Sequence, residues 1–116
     1  MDPLDRLYAS FARRDVEALT AAMTEDVDWP NGWEGGRLVG RAAVADYWRR
    51  QWAQISPSVR PVRTTTLPDG RVAVDVQLVV RSPDGAVLSR SAVRHVYTFR
   101  GELVARMDVE DAGAPL

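Results

Sequence analysis

The only histidine of the chain, His95, is the side chain best suited to acid–base chemistry near neutral pH. It lies in the segment SAVRHVYTFRGELVARMDVED, residues 91–111, where alternating valines and aromatic residues predict a β-strand. Because successive side chains point to opposite faces of a strand, the imidazole shares its face with Val93, Tyr97 and Phe99. These neighbours predict that His95 points inward. It would there be a core histidine kept neutral by burial, or a hydrogen-bond donor, acid or base at the floor of a cavity.

A carboxylate beside His95 would complete an acid–base pair, and Asp75 is the first candidate. Asp75 alternates with the aliphatic residues of the segment 72–80. If these aliphatic side chains pack against helices, Asp75 faces solvent or a second subunit; if they form a subunit interface, it faces the cavity. Asp28 is a weaker candidate, because alternation turns it away from Trp29. The predicted catalytic residues are therefore His95 and Asp75.

All four tryptophans lie between residues 29 and 52. Trp48 and Trp52 follow the i, i+4 spacing of a helix face, and Trp52 is predicted to belong to the core. Trp29 and Trp33 fall in a glycine-rich segment, where exposing an indole is costly. An aromatic-walled cavity favours a flat apolar or aromatic ligand. The residues predicted to bind it are Tyr8, Trp29, Asn31, Trp33, Trp48 and Tyr97.

The first half of the chain is predicted to be helical. Apolar spacing indicates a helix over residues 4–11, a short second helix that begins after the N-cap Asp15, and a third helix over residues 41–55. Between them, residues 26–40 contain proline, asparagine and several glycines. This composition predicts a loop with at most short extended pieces.

The second half is predicted to consist of four strands rich in valine and threonine, at residues 59–66, 71–81, 86–99 and 102–109. Two PDG turns and one RG turn join them, which predicts an antiparallel meander. Helices followed by such a sheet indicate the α+β class, with the sheet wrapped around the helices. The length of 116 residues indicates a single domain over residues 1–116.

Composition argues against several classes of function. The net charge of −1, with acidic and basic residues mixed, predicts no nucleic-acid partner and no anionic membrane partner. A chain with no cysteine and one histidine contains no disulfide, thiolate nucleophile or histidine-rich metal site, and no cofactor is predicted. The N-terminus has neither a basic start nor a long apolar run, so no signal peptide is predicted and a cytoplasmic location is expected.

Four features carry a resemblance to a known family: two short helices, the motif D-x-x-W-P-N-G, the helix GRAAVADYW and the hairpin HVYTFRGELVARM. In this order they resemble the nuclear transport factor two-like superfamily, and within it the SnoaL-like polyketide cyclase and ketosteroid isomerase-like group. The resemblance covers residues 4–111. It implies a cone-shaped α+β barrel, in which three N-terminal helices pack inside a strongly curved antiparallel sheet around a central apolar pocket. It also implies a homodimer.

The resemblance transfers the catalytic set of ketosteroid isomerase only in part. The aspartate base of that set falls in the region of Trp29 and Asn31, neither of which is a base. Its tyrosine falls on Leu7, with Tyr8 one position away. Its protonated aspartic acid, a hydrogen-bond donor, falls on His95. The standard set is therefore incomplete in this chain.

A second comparison is with limonene epoxide hydrolase-like members, which activate water with two aspartates and an arginine. Asp75 and Asp108 resemble the aspartates, but Ala73 stands at the arginine position, so this set is incomplete as well. Asp108 is predicted at a solvated edge of the sheet.

Two functions stay open from the sequence. The chain would bind a small apolar molecule and catalyse isomerisation, cyclisation or dehydration by proton transfer, or it would be a non-catalytic ligand-binding or dimeric assembly module. A carboxylate within hydrogen-bond reach of His95 inside the cavity would distinguish the first from the second.

Overall fold

The computed structural model describes residues 2–32 and 34–111, and Asp111 is described by its backbone alone. The elements in chain order are α1 (Pro3–Ala12), α2 (Val16–Ala21), β1 (Met23–Pro30), β2 (Arg37–Val39), α3 (Arg41–Gln54), β3 (Ser56–Thr66), β4 (Val72–Arg81), β5 (Val87–Arg100) and β6 (Leu103–Asp111).

Helices α1 and α2 each begin at an aspartate. The carboxylate of Asp2 accepts a hydrogen bond from the amide of Leu4 at 2.8 Å, and that of Asp15 accepts from the amide of Ala18 at 3.1 Å. These bonds satisfy amides that have no partner within the helix. The predicted N-cap at Asp15 is confirmed. Within the described ranges, no helix has both the length and the apolar character required to cross a membrane.

All six strands form one sheet in the order β2-β1-β6-β5-β4-β3. Strands β1 and β6 pair in parallel, and the other neighbours are antiparallel. The predicted antiparallel meander is present as β3 to β6. Residues 26–40 were predicted to form a loop with at most short extended pieces. The three-residue β2 is such a piece, but the prediction was wrong for residues 26–30, which belong to the eight-residue strand β1. Asp26 and Asp28 point away from the buried Val27 and Trp29 and pair with arginines.

The sheet is strongly curved around α3. That helix contacts β1 and β2 near one edge of the sheet and β3 at the other edge, which requires the sheet to bend. Register shifts in the β3–β4, β4–β5 and β5–β6 pairings mark bulges that permit this bend. The edge strands β2 and β3 do not pair with each other, so the sheet stays open. The predicted α+β fold with helices inside a curved sheet is confirmed, with a mixed rather than a purely antiparallel sheet.

The outer face of the sheet holds a network of ion pairs across β2, β1 and β6. The Arg37 guanidinium lies 2.5 Å from Asp28 and 3.1 Å from Asp108, and Arg106 lies 2.9 Å from each of the same two carboxylates. Arg37 also donates to the backbone oxygen of Met107 at 2.7 Å. The short edge strand β2 is thus bound to β6 by side chains as well as to β1 by its backbone.

Replacing Asp15 with alanine tests the cap that positions α2. We expect D15A to lower the free energy of unfolding by about 1 kcal/mol, because the amide of Ala18 loses its acceptor. Urea unfolding followed by circular dichroism measures this change. Asp15→Asn is the matched control, since its amide oxygen can still accept the bond. Equal losses in both variants would show that charge, not the cap, is responsible.

Candidate functional site

A cavity of about 450 Å³ lies between the helices and the concave face of the sheet. Its walls are largely aliphatic and aromatic side chains. The aromatic ones are Tyr8, Phe11, Trp29, Tyr47, Trp48 and Tyr97. His95 lines the same cavity, so its inward orientation agrees with the period-two pattern of β5.

His95 is the end of a chain of three hydrogen-bonding side chains. The Tyr8 hydroxyl of α1 lies 2.9 Å from His95 Nδ1, and the Tyr97 hydroxyl donates to the Tyr8 hydroxyl at 2.8 Å. A hydroxyl has one proton. Since Tyr8 receives the proton of Tyr97, its own proton is directed to His95 Nδ1. The remaining imidazole proton is therefore on Nε2.

Burial determines the protonation state of this trio. Removal from water lowers the pKa of His95 to about 4, because the charged imidazolium loses its hydration. The same desolvation raises the pKa of both Tyr8 and Tyr97 above the usual range. At neutral pH all three side chains are uncharged. The imidazole is thus a neutral donor through Nε2 and an acceptor through Nδ1.

The Nε2 atom of His95 is accessible to a ligand. Within residues 2–32 and 34–111, the hydrogen bonds of the His95 ring are made by Nδ1 alone. Nε2 has no partner there, and it is not one of the polar atoms that are fully buried without a partner. Because His95 lines the cavity, a ligand oxygen there can accept its proton. The buried network therefore provides one oriented donor to the cavity.

A second polar group lies on α3. The Nε2 of Gln51 donates to the Tyr47 hydroxyl at 2.8 Å, and both side chains line the cavity. Sequence reasoning missed both residues. Their i, i+4 spacing, which runs beside the Trp48–Trp52 pair on the same helix, was the available signal.

Trp29 and Trp48 form one side of the cavity, and Trp52 stacks on Trp48 outside the lining. The Trp29 and Trp48 rings meet at 5.3 Å with planes at 75°, and the Trp48 and Trp52 rings stack at 6.0 Å. Trp29 is only 7% exposed and belongs to β1, so it is a wall residue on a strand and not part of a loop as predicted. Trp52 packs on the core beyond the cavity lining, as predicted.

The structure does not bring Asp75 to His95. The residues of β4 that line the cavity are Leu78 and Val80, and Asp75 points to the opposite face. There it lies 2.9 Å from Arg94, whose hydrogen bond lowers the pKa of the Asp75 carboxyl. The two alternatives left open for this strand are resolved in favour of aliphatic side chains that face the helices.

Asp28 and Asp108 are also on the outer face, in the ion-pair network with Arg37 and Arg106. Hydrogen bonding from Arg106 lowers the pKa of Asp108. Neither carboxylate lines the cavity. Among the described residues, no group of three or more histidine, aspartate or glutamate side chains is arranged to hold a metal ion.

The remaining predicted ligand-binding residues differ in position. Asn31 lies outside the cavity lining, between Pro30 and Gly32, which belong to it. Its side-chain oxygen accepts from the amide of Glu34 at 2.8 Å, which stabilises the turn. Trp33 lies outside the described residues.

A model of the SnoaL-like domain family matches residues 4–107. The chain therefore belongs to the SnoaL-like domain family, in agreement with the expected resemblance. No curated protein matches the sequence.

Solved structures share this fold across almost their whole length. TerC, crystallised with polyporic acid, is 25% identical with a TM-score of 0.79, over 92% of this chain and 86% of TerC. A candidate polyketide cyclase from Sinorhizobium meliloti is 19% identical with a TM-score of 0.79, over 93% of each chain. A protein from Catenulispora acidiphila with a ketosteroid isomerase-like fold, in complex with trimethylamine, is 16% identical with a TM-score of 0.77, over 97% of this chain and 87% of that one.

Stability should depend on pH through His95. Its pKa is about 4 in the folded protein and about 6.5 in the unfolded chain, so the unfolded chain binds more protons between these values. Stability is therefore lost as the pH falls through this window. We expect a loss of roughly 2 kcal/mol between pH 7.5 and pH 5 that is absent in His95→Gln.

Chemical denaturation of wild type and His95→Gln at pH 7.5 and pH 5 measures this loss of stability. Aspartates and glutamates contribute equally to the pH dependence of both proteins, so the comparison isolates His95. Parallel stability profiles for wild type and His95→Gln would contradict a buried neutral imidazole.

Proposed function

We propose that this protein binds a small, flat, uncharged aromatic molecule in the cavity and that His95 Nε2 donates a hydrogen bond to an oxygen of the ligand. The single observation that carries the proposal is the orientation of His95 by Tyr8, which leaves one donor available in an apolar space. Apolar walls with few fixed polar groups are typical of small-molecule sites.

The size and the aromatic walls of the cavity support a flat ligand. A volume of about 450 Å³ lies within the usual range of roughly 300–1,000 Å³ for small-molecule sites. Trp29 and Tyr97 form adjacent walls, with ring centroids 6.4 Å apart. Aromatic walls favour stacked or edge-to-face contacts with a ligand ring. TerC, whose fold this chain shares, was crystallised with polyporic acid, which supports a small molecule as the ligand.

The positions of the carboxylates favour a binding protein over an enzyme. None of the described residues that line the cavity is aspartate or glutamate, and Asp75, Asp28 and Asp108 are on the outer face. An imidazole with a pKa of about 4 is also a weak base at neutral pH. The acid–base pair expected of a proton-transfer enzyme is therefore incomplete.

A proton-transfer enzyme is the second candidate, and one observation favours it. A neutral imidazole held by two tyrosines can stabilise the oxyanion of an enolate, because the Nε2 donor is already oriented. Isomerisation, cyclisation and dehydration of a carbonyl compound each require such stabilisation. The substrate or solvent would then have to supply the base.

Homodimer formation, a cytoplasmic location, a single domain over residues 1–116 and the absence of nucleic-acid and membrane partners stay predictions. The family resemblance supports the dimer, and the mixed charge supports the absence of nucleic acid. Multi-angle light scattering of the purified protein tests the dimer directly.

Filling part of the cavity should weaken binding. Val80 lines the cavity and its neighbour Val79 points to the other face of β4, so Val80→Phe and Val79→Phe are the same change on opposite faces. With anthraquinone as probe, followed by quenching of the wall tryptophans, we expect V80F to bind at least about tenfold more weakly and V79F to bind like wild type. Circular dichroism confirms that both are folded. Equal effects, or no binding by wild type, would contradict the proposal.

Deuterium exchange distinguishes the binding protein from the enzyme. The protein is incubated in D₂O with a neutral ketone such as β-tetralone, and loss of the α-proton signal is followed by NMR. A binding protein leaves the rate at the buffer value in wild type and in His95→Phe. Acceleration by wild type that disappears in His95→Phe would favour the enzyme instead.

A further inference from the structure

The geometry points to a ligand that is recognised at two ends: an uncharged aromatic carbonyl compound that also bears a hydroxyl group. His95 Nε2 donates to the carbonyl oxygen, and the Gln51 side-chain oxygen accepts from the hydroxyl. This inference rests on the proposed function and makes it specific, because it assigns Gln51 as a residue that determines which ligand binds.

Gln51 is held in one orientation by its own helix. Its Nε2 donates to the Tyr47 hydroxyl one turn earlier, at 2.8 Å. A side-chain amide has one donor end and one acceptor end. With the nitrogen bound to Tyr47, the oxygen Oε1 is the end that remains for a ligand. Oε1 has no hydrogen-bond partner within the described residues, and it is not one of their polar atoms that are fully buried without a partner.

The two polar groups belong to facing walls. Gln51 lies in α3, which packs inside the curved sheet, and His95 lies in β5 of that sheet. Both line the same cavity, and the side chains of Trp29, Trp48 and Tyr97 form the wall beside them. A flat ring system between these walls would present one polar substituent to each side.

The cavity selects against charge. None of the described lining residues is an aspartate, glutamate, arginine or lysine, and His95 is neutral at physiological pH. Moving an ion into such a space without a counter-ion is costly, since its hydration is not replaced. On the outer face, Asp75 of β4 instead pairs with Arg94 of β5, and Arg106 of β6 pairs with Asp108 of the same strand. An acid or amine would therefore bind in its uncharged form.

A matched set of anthraquinones tests these statements. Parent anthraquinone has only acceptors, 2-hydroxyanthraquinone adds a donor, 2-methoxyanthraquinone blocks that donor, and anthraquinone-2-carboxylate carries a charge. Dissociation constants are measured with wild type by tryptophan quenching and calorimetry at pH 6, where the hydroxyl is protonated. We expect the hydroxy compound to bind about fivefold tighter than the methoxy compound, as for one net hydrogen bond, and the carboxylate to bind most weakly.

Gln51→Leu assigns the preference to this residue. We expect Q51L to bind the hydroxy and methoxy compounds equally while it still binds parent anthraquinone. Gln54→Leu, the same change at an exposed position of α3 outside the cavity lining, is the matched control and should keep the fivefold preference. Equal binding of the hydroxy and methoxy compounds by wild type, or a preference that survives in Q51L, would overturn the assignment of Gln51.

Tighter binding of the carboxylate than of the parent compound would overturn the selection against charge. Failure of the proposed function is distinguishable from these results. In that case no anthraquinone binds wild type, or Val80→Phe does not weaken binding, whereas the loss of the hydroxyl preference alone leaves the binding function intact.

Discussion

The parallel pairing of β1 with β6 is the contact on which the cavity depends. It joins a strand that precedes α3 to the last strand of the sheet, with Met23 opposite Val104 and Asp28 opposite Arg106. This register points Trp29 to the concave side, against Trp48 of α3. Without β1 in this place, the sheet would end at β6 and the aromatic wall would be missing. The contact is non-local, so the cavity forms only when both halves of the chain are folded together.

The fold separates charge from the interior very strictly. Along β4, Asp75 is paired with Arg94 on one face, while Leu78 and Val80 line the cavity on the other. A carboxylate among arginines is stable in its charged form, and an imidazole enclosed by tyrosines and apolar groups is stable in its neutral form. Strand alternation thus gives one sheet two environments of opposite character within the thickness of its backbone.

Local patterns predicted much of this structure. Period-two spacing gave the inward direction of His95, the turn sequences gave the β3–β6 meander, and Asp15 gave the start of α2. The β1 strand was not predicted, because its outward aspartates need arginines far along the chain, such as Arg106, before they become favourable in a sheet. Alternation alone could not decide which face of β4 meets the helices, so the position of Asp75 stayed open.

The candidate site was less predictable for the same reason. Tyr8 and His95 are 87 positions apart, and no local pattern connects them. The resemblance placed the family tyrosine at Leu7, yet the adjacent Tyr8 reaches the histidine, since the position of the helix relative to β5 decides which side chain contacts it.

The free edge of β3 has a separate consequence. Pro57 and Pro61 remove backbone donors from that strand, and Arg60 and Arg63 place positive charge along it. An open sheet is normally vulnerable to strand-by-strand polymerisation, and this edge gives an incoming strand few places to attach, so the protein can leave its barrel unclosed and still resist amyloid-like growth.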